Sequence, residues 1–290
     1  MSDGAALDAF ADEVSRPDRE VDLARAALVM GAFEYPDLSV EHYLKRLDEL
    51  AVAARPALSA ADLPSLALAQ YLFKRAGFTG NQDDYLDPRN SFLNQVLDRR
   101  LGIPITLSLV YIEVARRMGI DAEGVGLPGH FIVRSRLDPE NASAQGGDDA
   151  GDTDAVIYLD PFNGGALMEE EDCIERVRAI TGGKLPFNHA FLFPVGARYI
   201  LNRMLNNLKN AYASRQDLER ALRVVERLLV LNPNDPDETR NLGLLHAGLG
   251  HTRQALAALT RYLELRPEAP DAAAIRGHIV ALSGRLARWN

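Results

Sequence analysis

The stretch Gly102-Ile103-Pro104-Ile105-Thr106-Leu107-Ser108-Leu109-Val110-Tyr111-Ile112 decides how the rest of the chain is arranged. A glycine turn leads into Pro104, which sits well at the first position of a helix, and the residues that follow are apolar on nearly every face. The pattern predicts the start of a buried helix. Many enzymes carry a nucleophile at such a start, where free backbone N–H groups favour a developing negative charge. Here the turn delivers only hydroxyls and methyls.

Upstream of this helix the chain reads as all-helical. "REVDLARAALVMGAFEY" and "SVEHYLKRLDELAVAARPAL" carry apolar residues three and four apart, separated by a break at Pro36-Asp37, and "LPSLALAQYLFKRAGF" continues the pattern. A polar run, "TGNQDDYLDPRNS", precedes the amphipathic "FLNQVLDRR". Downstream, after Gly119, the period changes. "HFIVRS" and "AVIYLD" are short, β-branched and alternating, and so predict two strands. Between them "RLDPENASAQGGDDAGDTD" has the composition of an exposed loop joining a hairpin; its acids lack the alternation and terminal Glu of an EF-hand.

With 290 residues, 47% of them apolar, the chain is long enough for two domains. Its single cysteine, Cys173, forms no intramolecular disulfide and fits a reducing compartment. The first twenty residues are acidic where a secretory or mitochondrial signal needs basic ones, and no run of 18 apolar residues occurs. The expectation is a cytoplasmic protein with no membrane partner. A net charge of −9 also disfavours nucleic acid, yet it is unevenly divided. Residues 1 to 196 carry 18 basic and 32 acidic side chains, and residues 197 to 290 carry 14 and 9. That contrast, −14 against +5, predicts two units, 1–196 and 197–290, the first helical over 20–100 with a core over 101–196.

Within the second unit, "LKNAYASRQDLERALRVVERLLVLNP" and "LGLLHAGLGHTRQALAALTRYLELRP" superimpose with a shift of 34 residues, placing Leu208 on Leu242, Ala221 on Ala255 and Pro233 on Pro267. This helix–turn–helix period resembles the tetratricopeptide repeat, in which neighbours stack because no pair can bury its apolar face alone. Gly243 supplies the small residue expected at a helix crossing, whereas Lys209 stands at its counterpart in the first repeat. "PDAAAIRGHIVALSGRLARW" reads as a closing helix, and "GARYILNRMLNNLKNAY" as the helix that docks the repeats on the first unit. The alternative is that these helices merely complete a bundle.

The order of helix start, then "PGH" opening a strand, then "LDP" ending the next strand resembles the transglutaminase-like core, a papain-type cysteine-enzyme architecture. More narrowly, "RNSFLNQVLDRRLGIPITLSLVYIEVARRMGI", "GVGLPGHFIVR", "YLDPFNGG" and "ILNRMLNNLK" together resemble the bacterial SirB-type family, in which such a domain precedes tetratricopeptide repeats. The resemblance implies an α+β fold: a transglutaminase-like domain with a helical N-terminal part and a small antiparallel sheet, followed by all-α repeats. It also implies roles. In the superfamily a cysteine at the helix start is deprotonated by a histidine that a carboxylate orients. His130 and Asp160 fall at the His and Asp positions, while Ile105 or Thr106 falls where the cysteine belongs.

Each candidate also has a plain structural reading. His130 and Asp160 can persist as a buried hydrogen-bonded element without catalysis. Thr106 or Ser108 would be a poor substitute for a thiolate, and a threonine in the first turn of a helix commonly satisfies free backbone groups. Cys173 follows the Asp in chain order, inside a helix-like stretch, and reads as packing. Asn90, Ser91 and Asn94 precede the key helix and can point amides into the same cleft, or serve as turn residues. Asn163-Gly164-Gly165 reads first as a turn that permits positive φ. No phosphate loop, zinc cluster or dinucleotide fingerprint is present. The six histidines, at 42, 130, 189, 246, 251 and 278, show no metal spacing, so neither metal nor cofactor is expected. The reading reached is a noncatalytic interaction or scaffold protein that binds a protein or peptide, acidic in character, through residues 197–290. Its alternative is a residual hydrolase or acyltransferase using His130 and Asp160 with a hydroxyl or a water. A third class is an adaptor acting through the repeats alone.

Overall fold

The structure, a computed structural model, describes residues 3–59, 61–137 and 156–287. Five helices, α1 (Asp3–Val14), α2 (Leu23–Met30), α3 (Val40–Leu58), α4 (Pro64–Gln70) and α5 (Leu93–Arg99), lead to α6 (Pro104–Arg117). Local chemistry starts two of them: the Asp22 carboxylate accepts from Arg25 N and the Ser39 hydroxyl from His42 N, so each satisfies a free donor of the first turn. The helix expected at Pro104 is α6, and every residue from Pro104 to Ala115 is buried.

Strands β1 (Thr79–Gly80) and β2 (Leu101–Gly102) form a short parallel pair that anchors the entry to α6. The main sheet has five strands in the order β6-β5-β4-β3-β7: β3 is Ala122–Val125, β4 Ile132–Arg136, β5 Val156–Asp160, β6 Ala166–Met168 and β7 Pro194–Val195. All its pairings are antiparallel, and β4 meets β5 with Val133 opposite Leu159. Successive side chains point to opposite faces. Val133 and Leu159 accordingly join the core around α6, while Ile132 joins Val125 and Met168 against Cys173 and Val177 of α7 (Glu170–Thr181). The loop expected between the hairpin strands falls on residues 138–155, outside the described residues.

The C-terminal helices are α8 (Ala197–Ser214), α9 (Leu218–Leu231), α10 (Pro236–Gly248), α11 (Thr252–Leu265) and α12 (Ala272–Ala287). Helices α8 and α9 enter the main core through Ile200, Leu201, Met204, Leu205, Leu208, Val224 and Leu228. Four arginines tie the same helices to the segments that precede them. Arg203 donates to Leu127 O at 3.0 Å, Arg220 to Glu34 Oε2 at 2.6 Å, Arg215 to Leu86 O and Arg198 to Val14 O. The docking expected of "GARYILNRMLNNLKNAY" is thus both apolar and ionic. Among the described residues no helix is long and apolar enough to cross a membrane.

Candidate functional site

The turn Leu127-Pro128-Gly129-His130 opens the site. His130 N donates to Leu127 O at 3.1 Å and Gly129 has φ +74°, the geometry of a type II turn with Pro and Gly at its two central positions. Hence His130 precedes β4 instead of lying on it, a correction to the strand placement expected from "HFIVRS". The turn closes before pairing begins, and β4 starts only at Ile132. Asp160 is the last residue of β5.

The turn and the strand end bring the two side chains together. His130 donates from Nε2 to Asp160 Oδ2 at 2.9 Å, and both residues are buried. Asn163 adds a 2.7 Å bond from Nδ2 to the same oxygen, while the N–H groups of Phe162 and Asn163 donate to Oδ1 at 3.1 and 3.2 Å. Arg176 of α7 approaches Oδ2 at 3.6 Å. Burial opposes ionisation of this carboxyl, yet the hydrogen bonds from His130 and Asn163 outweigh it and hold Asp160 below its usual range. The carboxylate stands at the edge of a cleft of about 370 Å³ lined by Asn163, Leu167, Met168, Glu175 and Arg176 among others.

The helix start holds no comparable reactive group. Thr106 is fully buried, and its Oγ1 donates to Asn90 O at 2.7 Å and accepts from Ile103 N at 3.1 Å. It fills the N3 role, reaching back to the N-cap N–H. Ile105 is a packed core residue. Ser108 lies inside the helix with its Oγ buried and without a hydrogen-bond partner among the described residues. Phe162 bridges the imidazole and β1: its ring stands edge-on to His130 with centroids 6.4 Å apart, and a Cβ on Gly80 would meet that ring at 2.6 Å. An aromatic side chain therefore packs beside the strand pair from which α6 departs.

The amides expected in this cleft are elsewhere. Asn90 accepts from Asn81 Nδ2 at 3.0 Å and donates to Asp84 O at 2.8 Å, which makes it a buried staple of the 81–90 loop. Asn94 lies near Gly31 and lines a separate cleft with Tyr35 and Tyr43. The helical turn of α5 aims it toward α2 and α3, away from the sheet. Asn163 is the only amide of the expected set that reaches the carboxylate. Sequence reasoning missed Phe162 and Arg176; the i+2 spacing of Phe162 from Asp160 was the available signal for the first, and none existed for the second. Cys173 is buried, with its thiol pushed up to about 12 by burial first and neighbouring carboxylates second.

The repeats offer a second concave region. A groove of about 380 Å³ runs between α8, α9 and α10, with Ala213, Leu218, Ala221, Val225 and Leu244 as its apolar wall and Lys209, Asn210 and Asn241 at its polar positions. Lys209, the residue out of pattern, is satisfied by an ion pair with Glu238.

Comparison with known sequences accords with both halves. The profile of the transglutaminase-like superfamily matches residues 41–206, and that of the tetratricopeptide repeat matches residues 208–279. A UPF0162 protein of Xylella fastidiosa is 41% identical over 92% of this chain and 92% of its own. A UPF0162 protein of Pseudomonas aeruginosa is 33% identical over 73% and 72%. Protein SirB1 of Salmonella typhimurium is 28% identical over 85% and 86%. With a transglutaminase-like fold, tetratricopeptide repeats behind it and relatives aligned over most of its length, the chain belongs to the SirB-type (UPF0162) family.

Proposed function

We propose that this chain is a noncatalytic interaction protein of the cytoplasm, in which a transglutaminase-like domain without its cysteine carries repeats that hold a segment of another protein. The observation that carries this reading is Thr106, whose hydroxyl is buried and committed to backbone groups on both sides, at the helix start where catalysis would need a free nucleophile. The second support is the apolar groove on the repeats, which has the size of a side-chain pocket and amides at hand for a peptide backbone. Residues 1–196 and 197–290 are the two units of this proposal. An acidic segment is the partner we favour, on the +5 charge of the second unit; the engagement of Arg198, Arg203, Arg215 and Arg220 with the first unit narrows that support to the remaining cations. The proposal includes no nucleic acid, in keeping with the net charge of −9, and the single buried Cys173 agrees with a reducing compartment.

One observation favours the second reading, a residual hydrolase or acyltransferase. The His130–Asp160 pair is intact beside an open cleft, and with Nε2 donating to the carboxylate the Nδ1 lone pair is the base that would activate a water. A photoreactive residue placed at Leu244 in the groove or at Leu167 beside Asp160 separates the two. Partner adducts at position 244 that survive His130→Ala are the expected result. Adducts confined to position 167, together with ester or amide hydrolysis lost in His130→Ala, would sink the noncatalytic reading.

A further inference from the structure

The turn between α10 and α11 brings two imidazoles together that the sequence holds five residues apart. His251 N donates to His246 O at 2.8 Å, Leu249 N to Leu245 O at 3.0 Å and Thr252 N to Gly250 O at 2.9 Å, so the backbone carrying both rings is pinned by its own hydrogen bonds. The Nδ1 atoms stand 3.2 Å apart with ring centroids at 5.4 Å. At that separation the two nitrogens share either one proton or one cation, because two bare lone pairs repel. Two nitrogens bound at 2.0–2.1 Å to one tetrahedral ion stand about 3.3–3.4 Å apart, so the spacing of the two Nδ1 atoms is within a few tenths of an ångström of that which chelation needs.

We propose that His246 and His251 form an open bidentate site for a late first-row divalent transition ion, of the zinc, nickel or copper class. Imidazole donors select these ions over magnesium and calcium, which prefer oxygen. Helix α10 presents its negative C-terminal end here and α11 its positive end, so the helix dipoles oppose each other and leave the choice of ion to the imidazoles. Among the described residues no group of three or more His, Cys, Asp or Glu converges on a common point, so the remaining coordination positions belong to water and the ion exchanges readily. The site lies on the repeat unit, remote in sequence from His130 and Asp160, and stands whether or not the noncatalytic reading does.

The test is calorimetric titration of the tag-free full-length chain with zinc alone in a buffer that does not bind metal, repeated for His246→Gln, His251→Gln and His189→Gln. One site per chain is expected in the wild type and in His189→Gln, with affinity reduced roughly tenfold or more in each of the other two. Neither imidazole caps its helix, and circular dichroism of the variants verifies that the repeats remain folded. Zinc affinity unchanged in His246→Gln and His251→Gln, or no zinc binding by the wild type, overturns the proposal.

Discussion

The two repeats share a 34-residue pattern but occupy different environments. In the first, Leu208 and Leu228 are buried in the same core as α6 and the sheet; in the second, Leu259 and Tyr262 belong to a separate cluster with Ala255, Ile275 and Leu282. At the helix crossing, Gly243 allows α10 and α11 to touch, whereas Lys209 in the first repeat reaches across to Glu238. A repeat motif therefore specifies a helix pair, and the neighbour decides whether that pair is part of a domain or an appendage to it.

The largest expected effect separates these two cores. Leu228→Ala should cost about 2–5 kcal/mol and lower the urea midpoint of the whole chain, because the cavity opens in the shared core. Leu259→Ala leaves a similar cavity, but its effect should appear as faster amide exchange confined to α10, α11 and α12. Equal acceleration of exchange in α6 by both variants would break the distinction.

Next in size is Asp160, which lies in the domain that the first repeat joins. Its folded pKa is depressed, so its contribution is complete above the unfolded value of about 4 and is lost as pH falls through the folded value. Asp160→Asn should cost about 1.5–3 kcal/mol near neutral pH, with the difference from wild type shrinking below about pH 4. Amide exchange in α8 and α9 should follow this pH dependence and exchange in α11 and α12 should not. Uniform behaviour across all four helices would show the repeats to be one cooperative unit.

Gly243→Ala should cost about 1–3 kcal/mol, since the added Cβ would meet Leu259 side-chain atoms at 2.6 Å and its backbone N at 3.1 Å. Lys209→Ala at the matching position removes a largely buried ion pair, but Asn241 still donates to the Glu238 carboxylate, so the cost should be smaller. Paired thermal melts that reverse this order would show that the crossing is looser than its geometry. Smallest is Glu34→Gln, which weakens a pair whose Arg220 side chain is 48% exposed; a loss under about 1 kcal/mol in urea titration is expected.

Much of the architecture was legible because it depends on local periodicity. The helix at Pro104 follows from its apolar run, the β4–β5 hairpin from alternation on either side of an acidic segment, and the repeats from a shift of 34 residues. Pro128-Gly129 encoded a turn, but whether His130 began the strand or preceded it depended on pairing with β5, which lies beyond the sequence window of the turn. Asn90 and Asn94 looked alike as amides four residues apart. Their loop and helix aim one at Asn81 and the other at Tyr43, and neither at His130.

By itself the sequence determined the order of a transglutaminase-like region followed by tetratricopeptide repeats and offered the candidate His130–Asp160 pair, because residue type and spacing along the chain carry that information. Only the tertiary structure decided that the Thr106 hydroxyl is consumed by Asn90 and Ile103, that Phe162 packs between the imidazole and β1, and that the first repeat shares a core with the sheet while the second does not. Those outcomes depend on which surfaces meet when distant segments compete to bury apolar area and satisfy polar groups, and that competition is settled by the whole chain at once.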